Sequence, residues 1–107
     1  MISTHVLDTS QGNPAQDVFV QLEKQSGAGW ALVGQDRTNA DGRIAFSCPY
    51  EPGVYRLVFQ TDTYFARRGI PAFFTVVPVT FEVKDTSRKY HVPLLLNPYG
   101  YSTYRGS

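Results

Sequence analysis

Apolar and polar residues alternate along this chain in short runs, and clusters of Gly, Pro, Asn, Asp and Ser separate the runs. A period of two marks a strand with one face buried. It is clearest over residues 17–25, where Val18, Val20 and Leu22 share one face and Phe19, Gln21 and Glu23 the other. Tyr55, Leu57 and Phe59 align in the same way. Such runs predict eight strands, over residues 2–7, 17–25, 30–38, 43–47, 54–60, 77–83, 88–96 and 101–105. One helix is expected over residues 63–68, with Thr61 or Asp62 as its N-cap and Gly69 as its stop. Short strands at this spacing read as an all-β sandwich. With no repeat, linker or low-complexity tract, residues 1–107 form one domain.

Composition narrows the partners more than the fold. A formal net charge of +1 removes the electrostatic case for nucleic acid or an anionic membrane. No apolar run approaches membrane-spanning length, and the first strand begins at Ile2, which leaves no room for a signal peptide. The expected location is therefore cytoplasmic, although a leader removed beforehand would leave no trace. The single cysteine, Cys48, has no histidine or second thiol near it in sequence and reads as a buried or loop thiol.

The last predicted strand runs into the closing residues Tyr104-Arg105-Gly106-Ser107. Most termini fray in solvent, and folding alone requires no guanidinium, glycine, hydroxyl and carboxylate here. This end is expected to lie in a site. The last strand has no later strand to cover it, so it is expected to pair with its counterpart in a second copy across a two-fold axis. In the seventh predicted strand His91, Pro93 and Leu95 share a face, and Tyr90, Val92 and Leu94 share the opposite one. His5 travels with Leu7, and Ser102 with Tyr104.

Specific residues carry a family resemblance. Thr4-His-Val-Leu-Asp8, Gly12-Asn-Pro-Ala15, the Asp41-Gly-Arg43 turn and the closing run Tyr90-His-Val-Pro-Leu-Leu-Leu-Asn-Pro-Tyr-Gly-Tyr-Ser-Thr-Tyr-Arg-Gly-Ser107 resemble the 5-hydroxyisourate hydrolases, the transthyretin-related enzymes of purine degradation. Transthyretin itself, a hormone carrier, shares much of this framework. It has lysine where this chain has His5, glutamate where it has Arg43 and threonine where it has His91, and it runs on apolar where this chain ends. All four differences follow the hydrolase pattern. Two positions depart from it. Phe73-Phe74-Thr75 stands where Phe-Phe-Pro is common, and Asn97 replaces a serine, which bears on loop geometry and not on the site.

The resemblance implies a transthyretin-like (prealbumin-like) sandwich of two four-stranded sheets with one short helix. It also implies a homotetramer, a dimer of dimers, with active sites in the groove where the dimers meet. The implied reaction is hydrolysis of 5-hydroxyisourate to 2-oxo-4-hydroxy-4-carboxy-5-ureidoimidazoline, without a cofactor. Opening an amide-like ring bond needs water deprotonated, an oxyanion stabilised and a leaving nitrogen protonated. Imidazole, with an ordinary pKa of about 6.5, suits both proton transfers. His91 is expected as general base and His5 as its partner, orienting water or donating a proton. Arg43 is expected to bind the substrate carbonyls and the oxyanion. Ser107, through its hydroxyl or its carboxylate, is expected to orient water or a histidine; Tyr104 and Arg105 are expected to position the tail and, with Ser102, to bind substrate.

Other readings compete. A lone histidine in a strand is usually structural, and an arginine beside a turn glycine is usually a solvated charge; only the matched family positions lift His5, His91 and Arg43. A small-molecule carrier using the same channel is the main alternative, and a structural module is a third. Desolvating two histidines and an arginine together benefits a carrier little. A catalytic zinc site normally takes three protein ligands, and no third accompanies the two histidines, so no metal is expected.

Overall fold

The computed structural model describes residues 1–47 and 51–106. Its strands are β1 (Ile2–Asp8), β2 (Asn13–Pro14), β3 (Phe19–Ser26), β4 (Gly29–Arg37), β5 (Arg43–Phe46), β6 (Gly53–Phe59), β7 (Val77–Val83), β8 (Tyr90–Asn97) and β9 (Gly100–Thr103), with helix α1 (Thr61–Ala66) between β6 and β7. One sheet runs β4-β3-β6-β7 and the other β2-β1-β8-β9, with β5 also paired to β1. The expected two-layer sandwich is present, with one addition. The two-residue β2 pairs Leu7 with Pro14 and Asp8 with Asn13, raising the second sheet to five strands. It shares an edge of β1 with β5, which pairs further back from Ile2 to His5.

Alternation builds the core. Val20, Leu22, Tyr55, Leu57, Phe59, Val6 and Leu94 are all buried between the layers. Each such side chain contributes about 1.5–3 kcal/mol through removal from water. No helix of the described residues is long and apolar enough to cross a membrane.

The helix starts two residues earlier than its predicted span and is not capped as expected. Gln60 occupies the N-cap position with no side-chain cap bond, while Thr61 and Asp62 already lie inside the helix. Burial holds α1 instead. Tyr64 and Phe65 sink into the core, and the Tyr64 hydroxyl donates to buried Asp8 Oδ2 at 2.8 Å, tying the helix to β1. Gly69, with φ +68°, supplies the left-handed stop. The last strand ends at Thr103, short of its predicted end, and Gly106 then forms an isolated bridge to His91.

β1 and β8 run parallel, with Ser3 beside His91 and His5 beside Pro93. This non-local pairing, joining the two ends of the chain, sets up the site. Cys48 and Ser107 lie outside the described residues.

Candidate active site

Two rows of side chains cross the outer face of the five-stranded sheet. Register places Arg43 of β5 beside His5 of β1, and His5 beside Pro93 of β8. The β8–β9 register, continued by the Gly106 bridge, sets Tyr104 opposite Pro93. The neighbouring row runs Ala45, Ser3, His91, Gly106. His5 and His91 are diagonal neighbours, and both are partly exposed while Thr4, Val6 and Val92 turn inward.

Arg43 owes its position to the turn before β5. The Asn39 side-chain carbonyl accepts from the Asp41 and Arg43 amides at 2.9 and 3.0 Å. Gly42 carries φ +73° and donates its amide to the Asn39 carbonyl, and its own carbonyl accepts from Val6 at 2.7 Å. A Cβ on Gly42 would stand 2.4 Å from the Val6 carbonyl, so only glycine lets the turn dock against β1. The docked turn also acts on His5, whose pKa the Asp41 main chain and carboxylate raise against the larger effect of burial.

Both imidazoles are biased toward neutrality. Burial is the largest cause lowering the pKa of His91, followed by the charges of Arg43 and His5. Burial and then Arg43 lower that of His5, partly opposed by Asp41. Neutral imidazoles beside a permanent cation can take up a proton and stabilise an anion. An open cleft of about 430 Å³ adjoins His91 and Arg43, lined also by Ser3, Asn39 and Lys89 among others.

The remaining expected residues are placed differently. Tyr104 sits on the same face, exposed. Ser102 pairs with Leu95, four residues along β8 from His91, or about 13 Å at strand rise, so one protomer does not bring it to the imidazoles. Arg105 rests on Tyr90, its guanidinium 4.9 Å from the ring centre, and it lines a cavity of about 160 Å³ together with His91 and Tyr104. Among the described residues no three His, Cys, Asp or Glu side chains gather as a metal site.

Two neighbours were not anticipated. Ser3 Oγ lies 2.8 Å from His91 Nδ1. Lys89 lines the cleft two residues before His91. Period two places Ser3 with His5 and Lys89 with His91, but only the parallel β1–β8 pairing brings Ser3 to His91.

A family model for the HIUase/Transthyretin family matches residues 2–106. The chain belongs to that family. Within it, a 5-hydroxyisourate hydrolase of Salmonella dublin is 44% identical over 110 residues, spanning 100% of this chain and 81% of that protein. The structure of Klebsiella pneumoniae 5-hydroxyisourate hydrolase superposes with a TM-score of 0.88 at 39% identity, covering 99% of this chain and 98% of the other. Sea bream transthyretin in complex with thyroxine superposes at 0.92 with 29% identity, covering 98% and 93%. Backbone shape therefore does not separate hydrolase from carrier within the family. The side chains on the outer sheet face must.

Proposed function

We propose that this protein hydrolyses 5-hydroxyisourate to 2-oxo-4-hydroxy-4-carboxy-5-ureidoimidazoline, with His91 as general base. The observation that carries the reading is the row in which Arg43 and His5 stand side by side with His91 diagonal to them. The hydrolase names of relatives at 44% and 39% identity support it.

His91 takes a proton from water, whose oxygen forms a bond to the ring carbonyl carbon. Arg43 stabilises the oxyanion. Collapse breaks the carbon–nitrogen bond, and the departing nitrogen takes its proton from the imidazolium of His91, directly or relayed through His5, which returns both imidazoles to their neutral forms. Ser107, two steps of backbone from the Arg105 that rests on Tyr90, orients the water or a histidine. Arg105 anchors the tail on Tyr90 and, with Tyr104, borders the substrate, Tyr104 covering the Pro93 side of the row. Water, imidazoles and guanidinium suffice for these steps, so the scheme requires no cofactor.

The outer sheet face is also where two dimers meet in the proposed homotetramer, each dimer formed by pairing of the β9 edges. That contact would exclude water from the imidazoles and strengthen the field of Arg43. In such a channel Ser102 would face the partner copy.

A carrier reading draws on the superposition with transthyretin bound to thyroxine. Catalysis and binding separate in one experiment. Protein at about one hundredth of the substrate concentration should consume all of the 5-hydroxyisourate, whereas a carrier removes no more than its own equivalent.

A further inference from the structure

We infer that Ser3 is a positioning residue that holds His91 in the tautomer with Nδ1 protonated and the Nε2 lone pair open toward the cleft. The inference rests on the reading of His91 as general base. Its carrying observation is the 2.8 Å separation of Ser3 Oγ and His91 Nδ1. That contact follows from the β1–β8 register, which puts the two residues directly side by side.

The hydrogen bond has two possible directions, and they differ in consequence. If the Ser3 hydroxyl donates to Nδ1, the ring proton sits on Nε2 and the outward nitrogen has no lone pair to offer. If Nδ1–H donates to Ser3 Oγ, Nε2 is an open acceptor. The second arrangement also survives the proposed reaction. When Nε2 takes the proton from water, Nδ1–H still donates to the same oxygen, and the bond strengthens because its donor is now charged. The first would require the hydroxyl to swing away as the imidazolium forms.

A second contact locks the ring from another side. A Cβ at Gly106 would fall 2.5 Å from His91 Cδ2, so the tail backbone lies flush against the imidazole edge. Ser3 fixes Nδ1, Gly106 borders the opposite carbon, and Nε2 remains as the nitrogen free to act. Among the described residues, the charged and titratable groups around this ring are His5 of β1, Arg43 of β5 and Lys89 just ahead of β8, and, across a second cavity that His91 also lines, Glu82 of β7 with Tyr90, Tyr104 and Arg105. Nδ1–H needs an oxygen within hydrogen-bond distance to accept from it. Ser3 provides one.

The test combines spectroscopy with kinetics on the full chain. Nitrogen NMR of the His91 ring at neutral pH should show Nδ1 protonated and Nε2 unprotonated, with the populations redistributed in Ser3→Ala. Ser3→Ala should lower kcat about tenfold or more with little change in KM, the scale expected when a reacting group loses its alignment. Its acid limb should move to lower pH, because the imidazolium loses an acceptor. Ser3→Thr, which retains the oxygen, should restore both kcat and the profile. A wild-type ring protonated on Nε2, or a Ser3→Ala variant with unchanged kcat and pH profile beside a crippled His91→Ala, overturns the role of Ser3 alone. Full turnover in His91→Ala would instead remove the base assignment beneath it.

Discussion

Gly106 donates its main-chain N–H to the His91 carbonyl at 2.8 Å, and its missing side chain is what lets the His91 ring lie against the tail. The chain's last turn is thus registered to a histidine through backbone, and no side chain larger than hydrogen fits between them. Gly106→Ala should shift either the ring or the tail. Turnover is expected to fall about tenfold or more, since small displacements of reacting groups carry large rate costs. Far-ultraviolet circular dichroism should stay unchanged, because the substitution lies beyond β9. Undiminished turnover would show that the contact is not needed for activity.

Acidification gives a second outcome. Burial and neighbouring positive charge lower the pKa of both His91 and His5 from 6.5. A base with a depressed pKa stays neutral as pH falls through 6.5 and is lost only as pH passes its lowered value. The acid limb of kcat/KM should therefore have its midpoint below 6.5. For stability the same shift means that the unfolded chain binds protons first, so stability declines as pH falls from 6.5 through the folded values. A limb centred above that value, or a flat profile from about pH 5 to 8, would contradict the role of the imidazoles.

The tie between helix and first strand is testable by stability. Tyr64 donates to Asp8, and burial with that bond pushes the phenol up to about 12. Ser10 supplies the other carboxylate oxygen with a backbone and a hydroxyl donor. Tyr64→Phe would leave one buried carboxylate oxygen without its donor. A loss of about 1–3 kcal/mol is expected in urea unfolding, the usual cost of an unsatisfied buried partner. An unchanged unfolding midpoint would mean that the carboxylate finds another donor.

Much of this fold is legible in the residues because one face of most strands is buried. Period two alone identifies the inward sets in β3 and β6, and Gly69 marks the helix end. The helix start is not legible, because buried Tyr64 and Phe65 fix α1 where capping chemistry at Thr61 or Asp62 would have set it. β2 is missed because two exposed residues carry no period. Within the site, His5, Arg43 and His91 are singled out by the family pattern, and the structure brings them to one sheet face. Arg105 rests on Tyr90 and lines a cavity with His91, a placement that no local pattern in the tail reports. Ser3 is hidden for a different reason. Its neighbour lies 88 residues away, and no local pattern reports a parallel pairing of that span.

The most direct test is the ultraviolet decay of freshly generated 5-hydroxyisourate, corrected for spontaneous loss, with wild-type protein, His91→Ala and His5→Ala side by side. The wild type should accelerate the decay catalytically, and each alanine variant should fall roughly a hundredfold or more, the scale of a lost acid–base group. No acceleration by the wild type, or equal rates in all three proteins, would contradict hydrolysis by these histidines.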